Sequence, residues 1–258
     1  MLIQDLFSLE GKVAVVVGGG GVLAGEIAQG FAGAGAQVAV VDLNEEAATA
    51  RALAICAKQR KAIPIKADVT KKADLENALR TTLDSFGQVD IVLNAAGINS
   101  ATPFFEIEEK EWERILDVNL RSVFLGCQIF GKAMIAAGKG GSIINISSAS
   151  SGPPLSKVFT YSVTKGGVNQ ITQFLAREFA PHRVRVNALI PGFFPAEQNR
   201  KILTTERVSQ IMNHTPMGRF GEAAELVGAA IYLASEKASS FVTGSFLRVD
   251  GGFGAMTI

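Results

Sequence analysis

The chain has 258 residues, of which 48% are hydrophobic and 19% charged, and its formal net charge is +1. This length and composition indicate one globular domain, and the interspersed charges favour neither nucleic acid nor a membrane as a partner. With only 2 cysteines and 2 histidines, we expect no disulfide framework and no metal site. No signal peptide or membrane-length apolar run is visible, so we expect a cytoplasmic protein.

Short β-branched runs alternate with helical patterns from one end of the chain to the other. The predicted strands cover residues 13–17, 37–41, 63–66, 91–93, 142–146, 184–189 and 246–249. The predicted helices cover residues 25–34, 45–58, 74–86 (with Thr70 as candidate cap), 108–137 and 158–180. This alternation predicts an α/β fold with a parallel sheet covered by helices on both faces.

One long stretch, residues 191–219, lacks a clear period and follows the sixth predicted strand. Such a length is unusual for a connection within one domain, so a binding loop or lid is expected there, at about 191–220. No linker or repeat divides the chain, which predicts one domain over residues 1–258.

A glycine cluster, Gly18-Gly19-Gly20-Gly21, follows the first predicted strand and opens a helix. Glycines there let backbone N–H groups approach a pyrophosphate at the helix N-terminus, although a plain strand–helix turn would look similar. Asp42 ends the second strand, where a carboxylate would bind ribose hydroxyls and repel a 2′-phosphate. No Lys or Arg lies between Lys12 and Arg51, which favours NAD over NADP.

Polar residues also end the third, fourth and fifth predicted strands. Asp68-Val69 and the segment Asn94-Ala95-Ala96-Gly97 are candidates for adenine and backbone contacts with a dinucleotide, with turns or helix caps as the alternative. Ser148 is a candidate donor to a reacting oxygen, or else a turn serine. Asn119 lies within the longest predicted helix, where it would hold a relay water or mark a kink.

Tyr161 and Lys165 lie four residues apart, which puts both side chains on one face of a helix. A free phenol has a pKa of about 10, and a nearby ammonium lowers it. We therefore expect Tyr161 to exchange a proton with an alcohol or carbonyl oxygen. The pair alone is a weak signal, because ordinary helix faces also carry it.

Taken together, these residues resemble the short-chain dehydrogenases/reductases over essentially the whole chain. The motifs that carry the resemblance are the glycine turn, Asp42, Asp68-Val69, Asn94-Ala95-Ala96-Gly97, Asn119, Ser148, Tyr161-x-x-x-Lys165, Pro191-Gly192 and Val249-Asp250-Gly251-Gly252. The resemblance implies a single-domain Rossmann fold with a doubly wound seven-stranded parallel sheet, hydride transfer with NAD(P), and a homotetramer. It implies Tyr161 as acid/base, Lys165 as its partner and ribose ligand, Ser148 on the substrate oxygen, and Asn119 in a proton relay.

The implied cofactor contacts follow the same motifs. They are Gly18, Gly21, Val22, Leu23, Asp42, Leu43, Asp68, Val69, Asn94, Ala95, Ala96, Gly97, Tyr161, Lys165, Pro191, Gly192, Phe193 and Phe194. The chain departs from the family pattern at Val17, Val22, Ala24, Ala95 and Ala196, and it has no insertion between Gly97 and Trp112.

Within this family, residues 191–221 are similar to the D-mannonate oxidoreductase (fructuronate reductase) members. This likeness implies a small sugar acid as substrate, with Arg200 as carboxylate partner, unless Arg200 is an exposed lid residue. The other candidate substrate contacts are Asn99, Ser148, Phe194, Gln198, Asn199 and His214. Two alternatives stay open: a dehydrogenase of neutral polyols, ketoses or other alcohols, and a non-catalytic NAD-binding regulator.

Overall fold

Seven parallel strands form a single sheet in the computed structural model, which describes residues 2–195 and 204–255. The strands are β1 (Val13–Val17), β2 (Gln37–Asp42), β3 (Ala62–Lys66), β4 (Ile91–Asn94), β5 (Gly141–Ile146), β6 (Val184–Pro191) and β7 (Phe246–Val249). Their order across the sheet is β3-β2-β1-β4-β5-β6-β7. All predicted strands are confirmed, with ends that differ by at most two residues.

Helices connect the strands and cover the sheet. They are α1 (Ile3–Leu6), α2 (Val22–Gly33), α3 (Glu45–Cys56), α4 (Lys72–Phe86), α5 (Glu109–Leu116), α6 (Ser122–Ala137), α7 (Phe159–Phe179), α8 (Thr205–Asn213), α9 (Glu225–Ala234) and α10 (Glu236–Ser239). Short 3₁₀ turns occupy Phe104–Glu106, Ala149–Ser151, Ala180–His182 and Phe253–Ala255.

The core consists of two apolar clusters, one on each face of the sheet. Phe31 of α2 and Leu226 of α9 belong to the first cluster, and Phe130 of α6 and Val168 of α7 belong to the second. The strands supply both clusters, because successive strand residues point to opposite faces. The predicted doubly wound Rossmann architecture is therefore confirmed.

Two predicted helix starts are wrong. Helix α2 begins at Val22 rather than residue 25, directly after the glycine turn. Helix α4 begins at Lys72, and Thr70 does not cap it. The Thr70 hydroxyl instead donates to Asp68 Oδ1 at 2.7 Å, because a short hydroxyl side chain readily bonds to a neighbouring turn acceptor.

The predicted long helix over residues 108–137 is interrupted. A π-helical segment, Asp117–Arg121, separates α5 from α6 and contains the fully buried Asn119. The whole stretch Glu109–Ala137 is long and apolar enough to span a membrane by length and composition, but half of its most apolar window is buried inside the fold. It is the crossover between β4 and β5, packed on the sheet.

Four helices were not predicted, the short α1 and α10 and the longer α8 and α9. Helix α8 lies within the stretch assigned to a loop or lid, and helix α9 follows it. In α9, the buried Leu226, Ala230 and Leu233 follow the spacing of one helical face, so hydrophobic periodicity would have identified it.

Candidate active site

The carboxyl ends of β1 and β4 mark the point where the strand order reverses, and the glycine turn lies there. Gly18 has a φ of +82°, and a Cβ at this position would lie 2.7 Å from the Ala96 backbone nitrogen. Only glycine fits a left-handed conformation with so close a neighbour. The turn therefore packs its backbone directly against the end of β4.

The glycine turn leads straight into the N-terminus of α2. Gly21 is the N-cap residue and supplies no side-chain hydrogen bond. The first N–H groups of a helix have no intrahelical acceptor, so those of Val22 and Leu23 are available to an anion. Bare N–H groups at a helix N-terminus suit a pyrophosphate, although Val22 and Ala24 replace glycines of the family pattern.

Asp42 ends β2 beside this turn. Its Oδ2 accepts from Gly20 N–H at 3.0 Å and its Oδ1 from Asn44 N–H at 2.9 Å. These two bonds fix the carboxylate in place and leave lone pairs on both oxygens for ribose hydroxyls. Leu43, which follows, is 63% exposed. The turn, the helix N-terminus and Asp42 together fit the pyrophosphate and ribose of a dinucleotide.

Asp68 follows β3 and Asn94 ends β4, and both side chains are hydrogen-bonded to other protein groups. Asp68 Oδ1 accepts from the Thr70 N–H and hydroxyl, and the Thr70 hydroxyl bond in particular lowers the Asp68 pKa. Asn94 is buried and donates to Asn145 Oδ1 at 2.9 Å. Asn94 therefore ties β4 to β5, whereas the predicted cofactor contacts of both residues stay predictions.

The remaining predicted contacts near these strands differ in exposure. Val69 is buried, whereas Ala95, Ala96 and Gly97 are partly exposed along the edge. A Cβ at Gly97 would lie 3.5 Å from Asn119 Oδ1 and 3.8 Å from Lys165 Nζ. The end of β4 thus connects the glycine turn with the residues of α7.

Ser148 and Tyr161 meet across the loop between β5 and α7. Burial raises the Tyr161 pKa, and the neighbouring Ser148 side chain partly offsets that rise. The loop is held against α7 by Asn169, which accepts from Ser147 Oγ at 2.7 Å and donates to Ser151 Oγ at 3.0 Å. The Ser148 and Tyr161 hydroxyls can therefore both hydrogen-bond to one oxygen atom of a bound molecule.

Lys165 lies under Tyr161, one turn along α7. Its Nζ is 5.5 Å from the centre of the Tyr161 ring and donates to the Ile146 carbonyl at 2.8 Å. Burial lowers the Lys165 pKa to about 8. In the protein alone, burial raises the Tyr161 pKa, which corrects the expectation of a lowered phenol pKa.

Asn119 faces the same region from the π-helical segment. Its Nδ2 donates to the Ile98 carbonyl and its Oδ1 accepts from the Ile98 N–H, both at 2.8 Å. Nδ2 also contacts Thr164 Oγ1 at 3.2 Å. The side chain therefore holds the loop after β4, and its predicted relay water stays a prediction.

The end of β6 places the backbone of Gly192 against Asp250, where a Cβ would lie 2.6 Å from the Asp250 Cα. Pro191 is buried in the strand, and Phe193 contacts Phe253 edge-on at 5.2 Å. Phe194 is only 5% exposed and belongs to the core cluster around α9. The ring packs under Gly221, and the predicted contact of Phe194 with substrate stays a prediction.

The other predicted substrate contacts are dispersed. Asn99 Oδ1 accepts from the Ser100 N–H at 2.8 Å, and His214 packs edge-on against Phe253 at 4.6 Å. Gln198, Asn199 and Arg200, like Ala196, lie outside the described residues.

The arrangement can exchange a proton with one oxygen atom of a bound molecule. It lies beside the glycine turn, the N-terminus of α2 and Asp42, which together are called the dinucleotide cradle. Ser148 and Tyr161 supply two hydroxyls, and Lys165 supplies a buried amine. Such a site suits proton exchange with an alcohol or ketone rather than nucleophilic attack, since no histidine or carboxylate contacts Ser148 in the described residues.

Comparison with known proteins agrees with this chemistry. A family model described as enoyl-(acyl carrier protein) reductase matches residues 21–254. The chain is also 35% identical to the 2-dehydro-3-deoxy-D-gluconate 5-dehydrogenase of Escherichia coli (strain K12), over 98% of this chain and 99% of that protein. The chain belongs to the short-chain dehydrogenase/reductase family. It is an oxidoreductase with the nicotinamide cofactor of that family.

Solved structures of short-chain dehydrogenases/reductases superpose closely. A gluconate 5-dehydrogenase from Burkholderia cenocepacia, in complex with NADP and tartrate, has a TM-score of 0.94 and 35% identity, covering 99% of this chain and 100% of that one. A candidate D-mannonate oxidoreductase from Haemophilus influenzae with bound NAD has a TM-score of 0.92 and 35% identity, covering 99% of each chain.

Sequence reasoning about this short-chain dehydrogenase/reductase missed several supporting groups. Thr164, Ser147 and Asn169 orient the reacting residues through side-chain bonds. Thr164 lies within the Tyr161–Lys165 motif, so the sequence alone could have identified it as a candidate. The Ile146 carbonyl, which accepts from Lys165, has no sequence signal because every residue carries a carbonyl.

Proposed function

We propose that this chain is an NAD-dependent dehydrogenase/reductase of small sugar acids, of the D-mannonate/D-fructuronate kind. It would interconvert a secondary alcohol and a ketone. The observation that carries the proposal is the Ser148–Tyr161 hydroxyl pair above the buried Lys165, beside the dinucleotide cradle. The sugar acid is supported by two similar proteins, a gluconate 5-dehydrogenase and a candidate D-mannonate oxidoreductase.

In this proposal Tyr161 exchanges the proton of the reacting oxygen. Because burial raises its pKa, Tyr161 is protonated at neutral pH in the protein alone and suits donation to a ketone. Ser148 holds the same oxygen by a hydrogen bond. The bound nicotinamide accepts or supplies the hydride.

Lys165 and Asn119 would act around Tyr161. A cationic Lys165 favours the phenolate that remains after proton donation, and favours proton uptake in the reverse direction. Asn119 fixes the loop that follows β4 through Ile98. We assign these four residues, Asn119, Ser148, Tyr161 and Lys165, as the catalytic group.

The preference for NAD rests on Asp42. A 2′-phosphate placed beside this fixed carboxylate would meet like charge, and the exposed neighbour Leu43 offers no cation. One similar structure holds NAD and another NADP, so the ratio of the two KM values decides between them.

We further infer a cytoplasmic homotetramer with a substrate lid near residues 191–220. Large apolar side chains on the outer surface support assembly, since Phe174 on α7 is 57% exposed and Phe241 is fully exposed. Light scattering after size exclusion should give four copies. A monomer at micromolar concentration would contradict the assembly.

The proposal is tested by initial rates of NADH formation with D-mannonate and D-gluconate, beside neutral polyols, with NAD and then NADP. Faster turnover of sugar acids with NAD is expected. Turnover of neutral polyols alone would favour the alternative substrate class. That alternative has one support, the aromatic group Phe104, Trp112 and Phe159 near the start of α7, with ring centres 4.9 and 6.0 Å from Phe159.

A non-catalytic NAD-binding regulator is the remaining alternative. Binding of NAD without turnover of any substrate in the panel would favour it. The complete Ser148, Tyr161 and Lys165 arrangement argues against it, because binding alone requires no proton exchange.

A further inference from the structure

Arg207 is a buried cation on the first turn of α8, with 7% of its surface exposed. Its Nη1 donates to Ser156 Oγ and its Nη2 to the Ser156 carbonyl, both at 2.8 Å. A guanidinium has five N–H donors, so several have no acceptor among residues 2–195 and 204–255. Burying a charge in this way is costly unless an anion or further acceptors complete it.

Arg185, Arg219 and Arg248 have carboxylate, hydroxyl or carbonyl partners, whereas within residues 2–195 and 204–255 Arg207 donates only to Ser156. Arg219 pairs with both carboxylate oxygens of Glu225, and Arg248 lies 3.6 Å from Asp250. The buried Arg185 donates from both terminal nitrogens to Ser239 and to carbonyls at the end of α9. Within the described part of the chain, Arg207 has no carboxylate within ion-pair distance.

Arg207 contacts the loop that leads from Ser148 to Tyr161. Ser156 lies in the loop that runs from Ser148 to Tyr161. Helix α8 lies in the segment expected to close over substrate. Arg207 therefore joins that segment to the loop carrying the reacting hydroxyls.

We propose that Arg207 is the specificity-determining residue that binds the carboxylate of the substrate. This inference rests on the proposed function. A planar guanidinium held on one side by Ser156 presents its remaining donors in the paired geometry that a carboxylate accepts. In this proposal the carbinol of the acid would lie at Tyr161 and its carboxylate would reach Arg207 past the loop that carries Ser156. The anion would also neutralise a cation for which the described residues supply no carboxylate.

The test compares two four-carbon probes that differ only at their ends, tartrate (a diacid) and threitol (its neutral counterpart). Each is measured as an inhibitor or substrate of the wild-type enzyme and of Arg207→Gln, which keeps hydrogen-bonding capacity and removes the charge. We expect tartrate affinity and the KM for the sugar-acid substrate to worsen roughly 10- to 100-fold, the scale of a lost charged hydrogen bond. Threitol affinity and kcat should change far less.

Two control variants separate carboxylate binding by Arg207 from a purely structural role of its bonds to Ser156. Ser156→Ala removes one bond to Arg207 and keeps the charge, so tartrate affinity should largely survive. Arg219→Gln removes an exposed, paired cation from the same region and should change neither probe. Arg207→Lys keeps the charge and should retain part of the tartrate affinity, which covers the case in which Arg207→Gln does not fold.

The failures are distinguishable. Equal loss of tartrate and threitol binding in Arg207→Gln, or no loss of either, would overturn the inference. If the wild type turns over sugar acids, the proposed function would still stand. Wild-type turnover of neutral polyols alone would reject the proposed function. In that case, an unchanged preference for tartrate over threitol in Arg207→Gln would reject the Arg207 role as well.

Discussion

Replacing Lys165 by Met should stabilise the protein while removing its activity. Lys165 is 2% exposed, and burial lowers its pKa from 10.5 to about 8. At 1.36 kcal/mol per pKa unit, holding it protonated in the fold costs about 3 kcal/mol. The variant also loses the hydrogen bond to the Ile146 carbonyl, which offsets about 1 kcal/mol of this gain in stability. The net gain near pH 7 is therefore about 2 kcal/mol, or a rise in Tm of about 4–8 °C.

The pH dependence of this difference identifies its cause. The folded-state pKa lies below the unfolded one, so between pH 8 and 10.5 the unfolded chain binds more protons than the folded protein. Wild-type stability from this group therefore rises with pH across that window. Urea unfolding without cofactor, at one protein concentration and from pH 6.5 to 10.5, should show the advantage of Lys165→Met shrinking above pH 8. A constant difference, or a less stable variant at pH 7, would refute the reasoning.

Three further substitutions test the cradle and the loop after β4. Gly18→Ala places a Cβ 2.7 Å from the Ala96 nitrogen and should lower the free energy of unfolding by about 1–3 kcal/mol, measured by urea unfolding; unchanged stability would contradict the close packing. Asp42→Ala should raise the KM for NAD about 10-fold and bring the KM values for NAD and NADP together; an unchanged KM ratio would remove Asp42 from cofactor selection. Asn119→Ala leaves the Ile98 N–H and carbonyl unpaired and should cost about 2–4 kcal/mol; hydrogen exchange at Ile98 should rise, and equal protection in both proteins would be inconsistent with this contact.

The sheet was predictable because its signal is local. Every residue of β1, Val13–Val17, is buried, as expected for a parallel strand covered on both faces. The Tyr161–Lys165 pair was predictable for the same reason, since helical spacing alone puts both side chains on one face.

What the sequence did not reveal depends on tertiary contacts. A kink at Asn119 was one of two interpretations of the sequence, but its bond to Ile98, 21 residues away, was not foreseen because no local propensity encodes that partner. The Phe194 ring is a core side chain because α9 packs beside it. The sign of the Tyr161 pKa change depends on burial, which spacing along the chain does not determine. Residues of these kinds require the packed fold.

Turnover by Tyr161→Phe beside the wild type, with NAD binding measured on both proteins, tests the central claim most directly. The exchange removes one hydroxyl and keeps the ring over Lys165. The account predicts NADH formation from sugar acids by the wild type, loss of at least roughly 100-fold in the variant, and nearly equal NAD affinity. Turnover that survives in Tyr161→Phe would contradict Tyr161 as the group that exchanges the proton.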